Sequence, residues 1–581
     1  MLQRLAALCV AIAFVVPVSL GIVGTLWQGS GMWNPFAASV VGSDVASGMA
    51  SGMPSGATVT APIKAALADP RFLPALSLTL FSGLLSTALV ALLSVIVLVS
   101  SHGTRVWNWT LSTLAPLLAV PHAALAVGLL FLLAPGGWLT RLISPWASGW
   151  QRPPTAWTVP DADAWTLVVG LVVKELPFLL LAAAAQLPSL DVDGTLRIGR
   201  TLGYAPARCW SRLILPRLWP RLRLTFLIIL AFNLSVVDMA LLLGPGHPPT
   251  LSVLLLQFLA DPDSRAVASA GALLLSALVA FGCLSVLLLE RLLGLIARER
   301  RASGRRGMAS RPARLAGQGV ALSLLGIGLL SLAVLPIWTL AERWRFPDAW
   351  PSAWTLQNWT ERLPRLAEPA LNTLGFALAT ALLALVAGIL WLEAERRRRV
   401  PKLDGLWYVP LLVPQIALLF GWQVAAVRWR LDGQWPTVLH AHWVYALPYV
   451  VLLLANAFRE LDPRWSHAAA TLGAGYWRTL WRVRLPLLSR PIAQAAAVAA
   501  SVSVAQYLPT LLLGAGRHAT LATELVAGQG GMDRRAISTL ALLQAMLPLL
   551  AFALAIGWPA WRARRLRRAA LVSPHALEGI A

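Results

Sequence analysis

The chain carries apolar runs of about 20 residues along its whole length, and each run is long enough to cross a bilayer. A transmembrane helix needs about 20 such residues because the hydrocarbon core is about 30 Å thick. Inside lipid every backbone N–H and C=O must be paired, and a helix pairs them within its own segment. We therefore predict an all-α integral membrane protein with twelve spans, near residues 5–27, 76–100, 114–134, 165–188, 222–243, 267–296, 317–340, 370–393, 405–427, 437–458, 491–513 and 538–560.

Composition and charge set the class of protein and its orientation. Charged residues make up 13% of the chain, whereas a soluble domain has about a quarter. A net charge of +23 would suggest nucleic-acid binding in a soluble protein. Here, however, the arginines gather between alternate spans, at 197–223, 298–314, 396–402, 459–490 and after Trp561. This positive-inside pattern predicts that both termini are cytoplasmic and argues against a nucleic-acid partner.

Three smaller features bear on processing and disulfides. Residues 5–27 are interpreted as an uncleaved first span; a signal peptide is the alternative, but the apolar run is long and no small-x-small cleavage site follows Leu26. Residues 35–67 are rich in Gly, Ser and Ala, which predicts a flexible extracytoplasmic loop. The cysteines are odd in number and lie in spans or on the cytoplasmic side, so they predict no disulfide framework.

The sequence repeats itself at an offset of 270 residues. Segments 201–216 and 471–486 agree at seven of sixteen positions without a gap. At the same offset LLLGPG (241–246) matches LLLGAG (511–516), and Thr250-Leu251 matches Thr520-Leu521. Upstream, Thr79-Leu80 corresponds to Thr373-Leu374 after changes in loop length. The chain is therefore predicted to be two fused copies of a six-span unit.

An even number of spans in each copy means that both copies start from the same side of the membrane. They are parallel, related by a pseudo-twofold axis along the membrane normal, with a translocation path on that axis. The predicted units are a first repeat at 1–300, a basic linker at 301–316, a second repeat at 317–563 and a basic tail at 564–581.

A basic loop follows the fourth span of each copy, at about 189–221 and 460–489. These loops are not spans, because each arginine at mid-bilayer costs about 2.5–3.5 kcal/mol. In the second loop alanines 468–470 favour helix, whereas Gly473 and Gly475 favour a break. A second short helix is expected to run to about Val483, before Leu485-Pro486 turns the chain into the next span.

This second loop resembles the EAA loop in permease subunits of binding-protein-dependent ABC importers. That loop has Ala-Ala, a Gly four residues on, and a hydrophobic-x-Leu-Pro ending, matched here by Ala468-Ala469, Gly473 and Leu485-Pro486. The first loop fits less well: Ile198-Gly199 replace the alanines, and Gly203 and Leu215-Pro216 follow. Both loops depart at the glutamate of the motif, where Arg197 and His467 stand, so the resemblance leaves the docking salt bridge open.

The resemblance implies the fused, two-lobed permease of a type I ABC importer, similar to thiamine and ferric-iron permeases in a bacterial inner membrane. In that family the two loops, which we call the first coupling loop (189–221) and the second coupling loop (460–489), seat on two copies of a cytoplasmic ATPase. An extracytoplasmic solute-binding protein delivers the substrate. The residues assigned to ATPase coupling are Gly203, Arg208, Arg212, Leu215, Pro216, His467, Ala468, Ala469, Gly473, Arg478, Arg482, Leu485 and Pro486. Anchoring of the arginines to anionic membrane lipid is the alternative.

We expect no catalytic residue, metal or bound cofactor in this chain. A Walker A loop needs Gly-Lys-Ser/Thr to hold phosphates, and the only lysines, Lys64, Lys174 and Lys402, lack that context. The sequence also contains no His-x-x-x-His or Cys-x-x-Cys pattern. ATP and Mg²⁺ are therefore expected on a separate ATPase subunit.

Ionisable residues within spans are costly, which makes them candidates for function. Lys174 and Glu175 are adjacent in the fourth span and point about 100° apart, so each is expected to meet a partner on another helix; a purely structural ion pair is the alternative. The residues predicted to line the path are Lys174, Glu175, Asn233, Asp238, Ser503 and Gln506. Neighbouring helices are expected to satisfy His122, Gln415, Gln423, His440 and His442, and water to solvate Glu290, Glu393 and Glu395.

The predicted function is that of an importer permease, which forms the substrate path and couples it to a separate ATPase. The alternative is a twelve-span secondary transporter driven by an ion gradient, which would also have parallel halves. Its sequence signals would lie between the second and third spans, where this chain has only SHGTRVWNWT at 101–110. A channel would need a filter-like sequence or a ring of like charges. The sequence leaves the substrate open between thiamine, ferric iron and other small solutes.

Overall fold

The computed structural model describes residues 2–29, 61–155, 159, 161–302, 311–531 and 533–572. Three predicted segments lie partly outside the described residues: the loop at 35–67 as far as residue 60, the linker at 303–310, and the tail from residue 573. Within the described part, the regular structure is helical apart from one short two-stranded sheet.

The first half is built from helices that follow one another in the order of the predicted spans. They are α1 (Leu2–Gly29), α2 (Ala61–Ala68), α3 (Phe72–Ser101), α4 (Arg105–Ala119), α5 (His122–Leu133), α6 (Trp138–Leu142), α7 (Trp165–Gln186), α8 (Val192–Thr201), α9 (Pro206–Cys209), α10 (Leu215–Ser235), α11 (Asp238–Leu243), α12 (Leu251–Ala260) and α13 (Arg265–Ala302).

The second half repeats this order and adds the small antiparallel sheet after its first helix. Its elements are α14 (Arg311–Leu340), β1 (Ala341–Arg343), β2 (Ala353–Trp354), α15 (Gln357–Arg396), α16 (Asp404–Trp407), α17 (Val409–Leu412), α18 (Gln415–Arg428), α19 (Trp435–Glu460), α20 (Arg464–Thr471), α21 (Tyr476–Thr479), α22 (Leu485–Leu487), α23 (Ser489–Ala505), α24 (Leu508–Gly514), α25 (Leu521–Ala527) and α26 (Arg534–Val572).

The described residues contain nine helices that are long and apolar enough to cross a membrane, or ten if one bent pair counts as a span. The third and fifth predicted spans of each half are divided into shorter helices. The third spans break at Val120-Pro121 and Val413-Pro414, where valine is extended and a new helix follows the proline. Proline lacks an N–H, so it disfavours the interior of a helix and is favoured at its start. The fifth spans break at Val236-Val237 and Gln506-Tyr507.

The same tertiary hydrogen bond occurs in both halves. The hydroxyl of Thr79 accepts a hydrogen bond from the N–H of Leu251 (2.8 Å), and the hydroxyl of Thr373 accepts one from the N–H of Leu521 (2.9 Å). Each threonine also donates to the carbonyl four residues earlier in its helix. The two halves are thus two copies of one fold, as the repeat predicts.

The first helix of each half packs against the third span of the other half. α1 packs on α18, where the hydroxyl of Thr25 donates to the carbonyl of Ala417 (2.5 Å) and accepts from the N–H of Gly421 (3.0 Å). α14 packs on α5 in the corresponding way. A Cβ on Gly421 would lie 2.0 Å from the carbonyl oxygen of Gly21. The two halves are therefore interlocked through a backbone contact that only glycine permits.

Gly421→Ala should destabilise the folded chain by about 1–3 kcal/mol, because the two helix backbones would have to separate to admit the methyl group. Thermal unfolding of the detergent-solubilised protein would measure this as a lower midpoint temperature. Gly326→Ala on α14 is the matched control, since its Cβ meets no atom within 4 Å. Equal midpoints for the two variants would contradict the proposed importance of this contact.

Candidate coupling loops and translocation path

The second coupling loop is shaped by a glycine in the left-handed conformation. Gly473 has φ +75° and follows the end of α20. The N–H of Ala474 donates to the carbonyl of Ala469 (2.9 Å), and the N–H of Gly473 donates to the carbonyl of Ala470 (3.0 Å). These two bonds form a Schellman motif, which favours glycine because a positive φ carries no steric cost without a Cβ.

The first coupling loop has the same backbone. Gly203, at φ +80°, follows the end of α8, and its N–H donates to the carbonyl of Arg200 (2.9 Å). The N–H of Tyr204 donates to the carbonyl of Gly199 (2.8 Å). The two loops therefore share one conformation although Ile198-Gly199 replace Ala468-Ala469.

A short helix with a π turn follows the glycine in each loop. The π turns are Trp210–Ile214 and Leu480–Arg484, again 270 residues apart. In the second loop the helical segment Tyr476–Leu487 meets the next span at a bend of 76°. The predicted short helix therefore lies where the sequence places it, but the helical segment runs on through Leu485-Pro486, and the turn into the next span comes at Leu488.

Each coupling loop exposes large apolar side chains beside its arginines. Leu472, in the turn after α20, is 86% exposed, and its counterpart Leu202 is also exposed. Trp477 and Trp481 of the second loop are exposed as well. Clusters of exposed large apolar side chains mark interaction surfaces.

The predicted coupling residues fall into three classes of exposure. Those that are exposed are Gly203, Arg208, Pro216, His467, Ala468, Gly473, Arg478 and Arg482. Those that are half-buried are Arg212, Leu215, Leu485 and Pro486, and Ala469 is buried. The exposed group contains most of the charge, which leaves it accessible to a partner.

A buried ion pair ties the second coupling loop to the C-terminal end of α15. Nη1 of Arg484 lies 2.9 and 2.8 Å from the two carboxylate oxygens of Glu393. Nε of Arg484 also donates to the hydroxyl of Ser466 (3.1 Å), and the hydroxyl of Tyr476 donates to Glu393 (3.1 Å). The Arg484 and Glu393 side chains are almost fully buried. We call these four residues the clasp.

The expectation that Glu393 and Glu395 face water was wrong. Both are buried, because α15 continues to Arg396 and the second coupling loop and α19 pack against its end. Glu395 receives two hydrogen bonds from Arg459 of α19, at 2.8 and 3.1 Å. Glu290 is also ion-paired, at 3.6 Å from Arg223, although it keeps partial exposure.

Ionisable residues of the first half converge at the break in its third span. Nζ of Lys174 donates to the carbonyls of Val120 and Leu118, at the end of α4. A carboxylate oxygen of Glu175 lies 3.5 Å from Nε2 of His122, the first residue of α5. Each of the two adjacent side chains thus has a partner on another helical segment, as predicted.

Asp238 completes this group from the break in the fifth span. It is the first residue of α11 and lies within electrostatic reach of His122 and Lys174. We call His122, Lys174, Glu175 and Asp238 the axial cluster. Lys174 and Glu175 are buried, whereas His122 and Asp238 are half-buried.

Polar residues of the second half face the axial cluster. Gln415, the first residue of α18, donates to the side-chain oxygen of Gln506 (2.9 Å) at the break between α23 and α24. The next residue, Tyr507, lies within electrostatic reach of Asp238, and Tyr449 of α19 lies within reach of Glu175. The broken spans of both halves therefore meet in one polar region at the interface between the halves.

Two of the predicted path residues lie within their own half. The side-chain amide of Asn233 donates to the hydroxyl of Thr87 (3.0 Å), and Ser503 contacts Nδ1 of His442 (2.8 Å). Both are almost fully buried, and they occupy equivalent positions at the offset of 270. The structure brings Lys174, Glu175 and Asp238 together and leaves these two outside the group.

The sequence of the chain matches known membrane components of transport systems. The family model described as the inner membrane component of binding-protein-dependent transport systems matches residues 401–568. The chain is 34% identical over 498 residues to the inner membrane ABC transporter permease protein YnjC of Escherichia coli (strain K12). The matched residues make up 84% of this chain and 89% of that protein. The chain belongs to the ABC transporter permeases.

Two further relatives are permeases that match part of the chain. The thiamine transport system permease protein ThiP of Escherichia coli (strain K12) is 28% identical over 262 residues, 38% of this chain and 48% of that protein. The putative 2-aminoethylphosphonate transport system permease protein PhnV of Salmonella typhimurium is 28% identical over 213 residues, 35% of this chain and 78% of that protein. This permease is therefore a multi-pass inner-membrane subunit of an ABC importer, non-catalytic like its family.

Sequence reasoning missed several residues of this permease that the structure places at its sites. Glu393 and Arg484 are separated by 91 residues, and no local pattern connects them. His122 and Gln415 were expected only to be satisfied by neighbouring helices, and they are, but at the polar interface between the halves. The Val-Pro that precedes each of them is the signal that could have located the two breaks. Among the described residues, no group of three or more His, Cys, Asp or Glu is arranged to hold a metal ion.

Proposed function

We propose that this permease carries its solute between its two halves at the axial cluster, and that two copies of a cytoplasmic ABC ATPase dock on its two coupling loops. ATP and Mg²⁺ bind to the ATPase subunits. An extracytoplasmic solute-binding protein delivers the solute to the opposite face. Both termini lie in the cytoplasm, in keeping with the arginine-rich segments on that side.

The observation that carries the proposal is the shared backbone of the two coupling loops. Each loop presents an exposed leucine, Leu202 or Leu472, next to a left-handed glycine and exposed arginines. Two copies of one partner fit two surfaces of one shape, as closed symmetric assemblies require. Lipid anchoring alone would need the arginines but would give no reason for the same Schellman turn in both loops.

The broken spans support a path at the interface between the halves. Irregular backbone at membrane depth is tolerated where it is buried in protein or lines a cavity, and discontinuous helices of this kind form substrate sites in other transporters. The half-buried members, His122 and Asp238, each begin a helix at such a break. Because the axial cluster contains groups of both signs, we propose a small polar solute as its cargo.

The proposed function can be tested by measuring how fast a thiol reagent labels a cysteine at position 412, at the interface between the two halves. Leu412 is half-buried in α17, which packs against α10 of the first half. With the three native cysteines replaced by alanine, Leu412→Cys should change its labelling rate when ATP and Mg²⁺ are added to the permease–ATPase complex in nanodiscs. The permease alone should hydrolyse no ATP.

A proton or sodium gradient across proteoliposomes is the control for the secondary-transporter alternative. It should leave labelling at position 412 unchanged when ATP is absent. A response to the gradient without ATP, or failure of the permease to copurify with an ABC ATPase, would reject the proposed function.

A further inference from the structure

The clasp exists in only one of the two halves. The offset of 270 places Leu196, Pro206 and Ile214 of the first half at the positions of Ser466, Tyr476 and Arg484. The offset of 294 that relates Thr79 to Thr373 places Val99 at the position of Glu393. All four polar members of the clasp therefore have apolar counterparts.

Three of the four apolar counterparts lie in one region of the first half, and the fourth, Pro206, is half-buried at the start of α9. Val99, Leu196 and Ile214 belong to one apolar cluster, in which Leu196 and Ile214 are buried. The alignment of α3 with α15 is supported by their shared burial: Leu98, Ser100 and Ser101 are buried, and so are Leu392, Ala394 and Glu395. At the positions of the clasp, the first coupling loop is thus attached to its half by apolar packing, where the second is attached by charge. The contact of the first loop with His102, just after α3, is long and open to solvent: Nδ1 of His102 lies 4.0 Å from a carboxylate oxygen of the exposed Asp193.

These two kinds of attachment respond differently to motion. Apolar packing is non-directional, so one surface can slide over another while both remain covered. Hydrogen bonds to charged groups are directional, and Arg484 makes them through Nη1 to Glu393 and through Nε to Ser466. Sliding would separate the buried Arg484 from Glu393 and leave Glu393 only the longer contact, 3.6 Å, with Arg396 of its own helix. The second coupling loop is consequently held to the end of α15 in one orientation.

We propose that Glu393 and Arg484 are positioning residues that make the second coupling loop and α15 move together when the ATPase moves, whereas the first coupling loop shifts against its own half. This inference rests on the proposed function, because the motion enters through docked ATPase subunits. It assigns different roles to the two loops within one pseudo-symmetric permease. The second coupling loop transmits the movement of the ATPase directly to its half, whereas the first coupling loop changes its position relative to its own half.

The test measures coupling in the nanodisc complex as the ATP-dependent change in labelling at position 412 per ATP hydrolysed. Glu393→Gln should lower this ratio about tenfold, within the usual range of coupling between sites, while the ATPase still copurifies. Glu395→Gln is the matched control, since it weakens the pair with Arg459 at the same end of α15, and Arg459 lies on α19, before the second coupling loop. It should change the ratio less than about twofold.

Two further variants separate positioning from stability. Glu393→Val with Arg484→Ile installs the apolar residues of the first half, and this double variant should keep the parental thermal stability while coupling stays low. Arg484→Lys keeps the charge but loses the planar pair of donors, Nη1 and Nε, that joins Glu393 to Ser466, so it should also lower coupling.

The outcomes distinguish the two proposals. Parental coupling in the double variant, or equal losses in Glu393→Gln and Glu395→Gln, would overturn the positioning role while leaving the proposed function intact. A parent that shows no ATP-dependent labelling would instead overturn the proposed function.

Discussion

Gly473→Val should weaken the association of the permease with its ATPase about tenfold. Valine at φ +75° costs about 1–3 kcal/mol, and relief of that strain would displace the exposed turn that carries Leu472. A factor of ten corresponds to about 1.4 kcal/mol of binding free energy. Titration of the labelled ATPase onto the permease in nanodiscs would give the two dissociation constants.

Gly475→Val is the control because the two glycines have equal room for a side chain but different backbone conformations. Gly475 has φ −63° and ψ 169°, which any residue adopts, and a Cβ at either glycine meets no atom within 4 Å. Association should therefore change little in this variant. Equal weakening by the two substitutions would contradict docking through the turn, and unchanged binding in both would place the ATPase elsewhere.

Much of the fold could be predicted from the sequence because the length of an apolar run can be read from neighbouring residues alone. Single long helices such as α3, α7 and α19 coincide with predicted spans, since about 20 apolar residues are both necessary and sufficient to cross the hydrocarbon. The breaks at Val120-Pro121 and Val413-Pro414 were missed because an apolar run gives the same hydropathy whether it is one helix or two. The crossing of α1 onto α18 is tertiary information that no window of sequence contains.

The coupling loops were predictable because their signals are local in the chain. Gly473 and Leu485-Pro486 specify a turn and a helix start through their own conformational limits. The clasp was not predictable, because a glutamate near a span end is usually solvated, and Glu393 becomes buried only when the loop 91 residues later folds over it. In the axial cluster, Lys174 and Glu175 could be predicted as site residues because charged side chains are rare within spans. Their partners could not, because they include main-chain carbonyls, which carry no sequence signal.

Lys174→Met should destabilise the permease by about 3–5 kcal/mol, the usual cost of removing one partner from a buried ionic group. The substitution leaves the carbonyls of Leu118 and Val120 without their donor at the broken end of α4. It also removes the buried cation that lies within electrostatic reach of Glu175 and Asp238. Thermal unfolding in detergent should show a markedly lower midpoint temperature for Lys174→Met. Lys64→Met, at an exposed lysine on α2, should leave the midpoint temperature unchanged.

A charge-neutral background tests whether electrostatics or the lost hydrogen bonds dominate this effect. If uncompensated carboxylates are the main cost, Lys174→Met combined with Glu175→Gln and Asp238→Asn should recover about half of the lost stability, because neutral amides are cheaper to bury than unpaired charges. The remaining deficit would then belong to the two carbonyls at the break. No recovery in the combined variant would show that Lys174 acts through the backbone of α4 alone, and that the axial cluster is not electrostatically coupled across the two breaks.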